Sequence, residues 1–193
     1  MKLLEERILK DGIVLSGTVL KVDKFLNHQI DVKLIMELAK EWKRLYADER
    51  ITKILTIEAS GIGIACIAAL EFDVPVVYAK KTRSSTIGSD LLSAKVVSYT
   101  HGNSYNVIAA KDYISPDDRI LIIDDFLAKG SALTSLLDVC QQAGAHVCGA
   151  GIVIEKVYQG GGELVKRAGL RVESLAKILE MDSEKGIDGI VFE

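Results

Sequence analysis

Two adjacent carboxylates, Asp124 and Asp125, close the apolar run Ile120-Leu121-Ile122-Ile123, and the loop Ala128-Lys129-Gly130-Ser131-Ala132 follows at once. A run with so little alternation reads as a strand covered on both faces. Beyond the loop, Leu133, Leu137 and Cys140 fall on one face of a helix that Gly144 ends. In a parallel sheet, ligands gather outside the carboxyl ends of the strands. Successive backbone N–H groups leading into a helix N-terminus suit a phosphate dianion. Glycine and alanine let that backbone approach closely, and Ser131 adds a hydroxyl donor. Asp124 and Asp125 can accept hydrogen bonds from vicinal sugar hydroxyls and stabilise positive charge developing on the ring. The pair in isolation is equally a capped strand end with solvated aspartates. With the strand before it and the loop and helix after it, the pattern favours a sugar phosphate.

A second constellation, Glu58-Ala59-Ser60-Gly61-Ile62-Gly63, also follows an apolar stretch and also opens a helix. Gly61-x-Gly63 alone suggests a dinucleotide fingerprint, and with it a nicotinamide-dependent dehydrogenase. The third glycine position holds Cys66, however, and Lys81 stands where an acid should bind a ribose, which weakens that reading. Lys80, Lys81 and Arg83 sit close behind the next apolar stretch. Such a run is often a solvated surface, but here it falls beside two anion-ready loops.

These groups need a sheet to hold them. Strands are expected at 51–57, 75–79, 119–124 and 146–154, with a helix near Leu34–Leu45 before the first of them and further helices near Gly63–Leu70 and Leu133–Gly144. Asp31 is placed to cap the first of these helices. Residues 94–99 and 105–109 alternate like a hairpin with His101-Gly102-Asn103 at its turn. Thr82 to Asp90 has the polar, hydroxyl-rich composition of a mobile loop. Strand–helix–strand order repeated in this way predicts an α/β fold with a doubly wound, mainly parallel sheet. The 193 residues fit one domain, with a core over about 31–156. Residues 1–30 and 157–193 do not fit the repeat and are expected to form a small hood.

The charge balance, 24 Lys and Arg against 27 Asp and Glu for a net −3, argues against a broad nucleic-acid surface. Cys66, Cys140 and Cys148 lack metal-ligand spacing and read as buried free thiols in a reducing compartment. The N-terminal residues lack a signal-peptide pattern, and no apolar run is long enough to span a bilayer. A cytoplasmic protein with no membrane partner is expected.

ILIIDDFLAKGSA resembles the phosphoribosyl-pyrophosphate (PRPP) motif of the type I phosphoribosyltransferases. VLKVDKFLNHQID, ITKILTIEASGIG, LIIDDFLAKG and GIVIEKVYQGG occur in order and are similar to the xanthine-using branch of that family. Many relatives carry a Thr-Gly-Thr type loop where this chain has Lys129-Gly130-Ser131, so backbone N–H groups must supply more of the phosphate binding here. The resemblance implies transfer of the 5-phosphoribosyl group from PRPP to N9 of xanthine, a purine-salvage reaction yielding xanthosine 5′-monophosphate and pyrophosphate. It assigns catalysis to Asp124 and Asp125, the 5′-phosphate to 128–132, and pyrophosphate to Ala59, Ser60 and Gly61; Lys80 and Lys81, by their place at a third strand end, are both candidates for the same pyrophosphate. Leu20 and Asn27 are implied at the base, with Lys156 donating to its 6-oxo group. On residues alone, Asn27 reads as a turn residue and Lys156 as a surface lysine. Tyr158 is a candidate for stacking on the ring, and Gly160-Gly161-Gly162 reads as a flexible turn. Mg²⁺ carried in by PRPP, a lid at Thr82–Asp90 and a homodimer are implied as well. A guanine or hypoxanthine transferase is the near alternative, and a PRPP-sensing regulatory protein the distant one; the latter would need a helix-turn-helix extension.

Overall fold

A computed structural model describes residues 1–82, 90–97 and 104–193. In chain order it contains α1 (Lys2–Asp11), β1 (Ile13–Ser16), β2 (Val19–Lys21), a π-helical turn (Asp23–Asn27), α2 (Val32–Leu45), β3 (Lys53–Ile57), α3 (Ser60–Phe72), β4 (Val76–Ala79), β5 (Leu91–Val97), β6 (Ser104–Ala110), β7 (Arg119–Leu127), α4 (Ser131–Ala143), β8 (His146–Lys156), α5 (Gly161–Arg167), β9 (Val172–Met181) and β10 (Ile190–Phe192). Arg83, most of the expected lid and the turn His101-Gly102-Asn103 lie outside the described residues.

Six strands form the central sheet in the order β10-β9-β8-β7-β3-β4. All neighbours are parallel except β9 and β10. The order reverses at β3: the chain steps outward to β4, then returns to the other side of β3 as β7. Such a reversal opens a crevice at the carboxyl ends of the two strands, where Glu58–Gly61 and Asp124–Asp125 meet.

Each strand serves two cores. Leu121 and Ile123 point into a cluster with α1, α2, α3 and β9, while Ile120 and Ile122 point into one with α4 and the β5–β6 ribbon. This two-sided burial explains the unbroken aliphatic run before the aspartates. Asp31 caps α2 as expected, its carboxylate accepting from Leu34 N at 3.2 Å. Trp42 and Tyr46 fasten the end of α2 to the sheet by donating to the carbonyls of Glu173 and Ala150.

Three expectations change. β7 and β8 run past the charged residues read as their ends, because Phe126 pairs with Ile154 and Leu127 with Glu155. Asp124, Asp125, Glu155 and Lys156 are therefore strand residues, held by pairing that continues after β3 has stopped. Within 157–193, set outside the repeat by its sequence pattern, β9 and β10 extend the edge of the sheet. Cys66 is exposed on the outward stripe of α3, whereas Cys140 and Cys148 are buried. Burial pushes these two thiols up, to about 12 and about 11.

Candidate active site

Asp124 and Asp125 are both buried at the crevice. Asp125 N donates to Asp124 Oδ1 and Phe126 N donates to Asp125 Oδ1, each at 3.0 Å, so main-chain amides fix both carboxylates. Burial raises the Asp124 carboxyl well above its ordinary range, the charge of Asp125 raises it further, and Lys81 pulls the other way. A carboxyl raised in the folded state adds stability at pH values below its unfolded pKa. That contribution is lost as pH climbs through the folded value. Ionised Asp124 is therefore a cost at neutral to alkaline pH. Asp124→Asn is expected to raise the melting temperature at pH 8.5 by a few degrees, with a smaller gain at pH 5 and with loss of activity; a melting temperature lowered at pH 8.5 would contradict the assignment.

The loop 128–132 emerges from β7 and turns at Gly130, whose φ of 83° is left-handed, into the N-terminus of α4. It lines a cleft of about 770 Å³ together with Thr18, Val19, Tyr105, Phe126, Lys156 and Tyr158. Gly161 braces the loop from the other side, its N–H donating to Ala128 O at 3.0 Å. A Cβ at Gly161 would fall within 3.0 Å of Ala128 O, Gly130 N and Lys129 C, all main-chain atoms. The triple-glycine run is thus a packing device at the start of α5, and sequence patterning, which read it as a turn, missed this role. Its signal lay in glycines continuing two residues into a helix.

Ala59 precedes α3, with Ser60 and Gly61 in its first turn, so the helix begins three residues earlier than the pattern indicated. The Glu58–Ala59 peptide is cis. Glu58 accepts a hydrogen bond from Lys81 N, which ties this loop to the residues after β4. Gly61 packs so tightly that the atoms nearest a Cβ there would be Thr56 Oγ1, closer than any real Cβ contact, and Asp124 Oδ1 at 3.4 Å. Glycine is required by this approach. The two lysines diverge: Lys81 acts on Asp124 and lies over the Tyr105 ring at 5.5 Å. Lys80 instead lies over Tyr78 in a separate groove with Lys53 and Tyr113.

The hairpin β1–β2 closes the cleft from above. Lys156 Nζ donates to Thr18 O at 2.6 Å, and Tyr158 Oη donates to Gly17 O at 3.1 Å. Burial draws the Lys156 ammonium below its ordinary range, while Asp125 draws it back. Its Nζ also sits 5.0 Å from the centre of the Phe126 ring. Asn27 Nδ2 donates to Asp125 Oδ2 at 3.1 Å. Leu20 is buried in the core cluster beside Val22 and Phe25, leaving Thr18 and Val19 to face the cleft. Of the candidate residues, Asp124, Asp125, Asn27, Lys156, Gly61, Lys81 and 128–132 are brought together; the Lys80 and Leu20 side chains point elsewhere.

A mainly parallel sheet thus carries a buried acid pair at the crevice between β3 and β7. The chain belongs to the phosphoribosyl transferase domain family, whose profile matches residues 21–180. It is 56% identical over 186 residues to a xanthine phosphoribosyltransferase of Lachnoclostridium phytofermentans, covering 96% of each chain. The enzyme of that name from Finegoldia magna is 50% identical, with 100% of both chains covered. Among solved structures, an adenine phosphoribosyltransferase from Rhodothermus marinus superposes with a TM-score of 0.73 at 20% identity, covering 92% of this chain and 99% of that one. One from Trypanosoma brucei gives 0.76 at 14% identity, covering 90% and 79%. At such identities these structures speak for the fold alone.

Proposed function

We propose that the protein transfers the 5-phosphoribosyl group from PRPP to N9 of xanthine, releasing pyrophosphate and forming xanthosine 5′-monophosphate. One observation carries this reading: Asp124 Oδ1 lies beside Gly61 of the Ala59–Gly61 turn, and the chain runs from the buried acid pair straight into the loop 128–132, which shares a cleft with Lys156. The near full-length likeness to xanthine phosphoribosyltransferases supports the choice of base.

In this account the 5′-phosphate rests on the amides of 128–132 at the start of α4. Pyrophosphate rests on Ala59, Ser60 and Gly61 with Lys81 above it; Lys80 serves through its backbone bridge to Ile108, which holds the Lys81 segment in place. The C1′–oxygen bond to pyrophosphate breaks ahead of C1′–N9 bond formation, its electron pair leaving with pyrophosphate, and xanthine, acidic enough to need no dedicated base, gives up its proton to water. Between these events the ribose carries positive charge that Asp124 and Asp125 stabilise, and positioning supplies much of the remaining acceleration. Mg²⁺ belongs to the substrate. As a hard cation it would be held mainly by phosphate oxygens and water, with few protein ligands. Lys156 donates to the 6-oxo group and Asn27 meets the 2-position edge, while Leu20 backs the hairpin from the core. A cation at position 6 selects an oxo-purine over adenine, whose amine is itself a donor.

Lys156→Ala is expected to raise KM for xanthine by about ten- to a hundredfold, the worth of one hydrogen bond to a charged group. KM for PRPP should stay within about twofold; an equal loss for both substrates would contradict the assignment. Two free thiols lie buried, which accords with a reducing cytoplasm. The β4 edge, flanked by exposed Tyr78 and Tyr113, suits a second copy in a homodimer. The overall reading is tested by offering xanthine, guanine, hypoxanthine and adenine together with PRPP and Mg²⁺. Xanthosine monophosphate should form fastest. Faster guanosine or inosine monophosphate would reassign the base, and no nucleotide at all would leave a PRPP-binding regulator.

A further inference from the structure

The crevice contains a polar group that the reaction as described does not use. Thr56 is a β3 residue with no exposed surface, and its Oγ1 has no hydrogen-bond partner among the described residues. It shares the α3 side of the strand with Ile54, a position an aliphatic residue would fill at no polar cost. A buried hydroxyl left unpaired is unfavourable and calls for a partner. The geometry names one. The two atoms nearest the missing Cβ of Gly61 are Thr56 Oγ1 and Asp124 Oδ1, so the absent side chain is what lets hydroxyl and carboxylate approach the same point.

We infer that Thr56 is a positioning residue for Asp124, its hydroxyl donating to the carboxylate when Asp124 ionises beside the ribosyl cation. This rests on the catalytic reading of Asp124 given above. Asp124 otherwise faces Asp125 from its own strand, Lys81 just after β4, and the phenol of Tyr105 from β6. Asp125 opposes ionisation and Lys81 favours it. Tyr105 stays neutral because burial and the Asp124 charge both raise it. α3 contributes no charge in its first turn. A donor from β3 therefore adds to Lys81 in holding the charged form that the sugar requires.

The test compares wild type, Thr56→Val and Thr56→Ser by the pH profile of kcat/KM for PRPP and by thermal melting. Removing the donor should move the acid limb of the valine variant up by about one pH unit, an approximately tenfold loss on that limb. The serine variant, which keeps the hydroxyl, should retain the wild-type limb. Thr56→Val should melt no lower than wild type, since the hydroxyl it removes has no partner among the described residues. Coincident acid limbs for the valine variant and wild type would overturn the inference. So would equal shifts in the valine and serine variants, or a valine variant melting several degrees lower, which would reveal a structural partner. Wild-type protein that makes no nucleotide would instead overturn the underlying reading of Asp124.

Discussion

Asp125→Asn is expected to lower kcat by about a thousandfold, as measured for other buried groups that stabilise transition-state charge. Asp125 is buried and its Oδ1 is fixed by Phe126 N, a bond that asparagine can keep. The fold should therefore persist, with a melting temperature close to wild type. What disappears is negative charge in a place where water cannot replace it, and there electrostatic terms are far larger than in solution. The loss should appear equally in kcat and kcat/KM for PRPP, the signature of an interaction made in the transition state alone. A second effect adds to it. Asn27 Nδ2 donates to Asp125 Oδ2, and an amide nitrogen at that position would face the Asn27 donor. Single-turnover kinetics beside a melting curve would separate chemistry from folding. Unchanged turnover would remove the acid pair from the mechanism.

The other large effect is expected at Gly161, some distance from the reacting atoms. Gly161→Ala places a methyl group against the main chain of Ala128, Lys129 and Gly130, where no rotamer change can relieve the clash. The loop 128–132 must shift, and misplacement of about one ångström can cost about a hundredfold in rate. We expect KM for PRPP to rise by about ten- to a hundredfold, with KM for xanthine nearly unchanged. Gly160→Asn is the control: its φ of 79° is left-handed, a conformation asparagine tolerates, and nothing lies within 4 Å of a Cβ there. Initial rates against PRPP for the two variants should diverge. Similar KM values would mean that α5 does not brace the loop.

The acid pair and the loop after it were legible in the sequence because everything they need is local. An aliphatic run, two carboxylates and a glycine turn occupy one contiguous segment, and each carries its own physical signal. The pairing of strands was less legible. Charge normally marks a strand end, yet Asp124, Asp125, Glu155 and Lys156 lie inside β7 and β8 because a neighbouring strand continues beside them. β9 shows no repeat of its own and enters the sheet through its parallel partner β8. Lys80 and Lys81 looked equivalent, but consecutive residues in extended backbone face opposite ways, so one reaches Asp124 and the other does not. Thr56 gave no signal at all. A threonine in an apolar strand is ordinary, and only the packing of Gly61 against it reveals an unpaired hydroxyl. Gly161 was hidden for the same reason, since close approach between distant segments is a tertiary fact.

Electrostatic tension is concentrated in one place. Two carboxylates share a buried crevice, where burial and the charge of Asp125 disfavour an ionised Asp124 while Lys81 favours it. Asn27 links this pair to the hairpin, and Lys156 links the hairpin to β8. The base side and the sugar side of the cleft are thereby joined by hydrogen bonds through the residues assigned to recognition.

A crystal structure of the protein with xanthosine 5′-monophosphate tests the central claim most directly. The account predicts the phosphate on the amides of residues 128–132, the ribose hydroxyls on Asp124 and Asp125, and the 6-oxo group within hydrogen-bonding reach of Lys156. A nucleotide bound with its ribose away from Asp124 and Asp125, or with its phosphate on another loop, would contradict it.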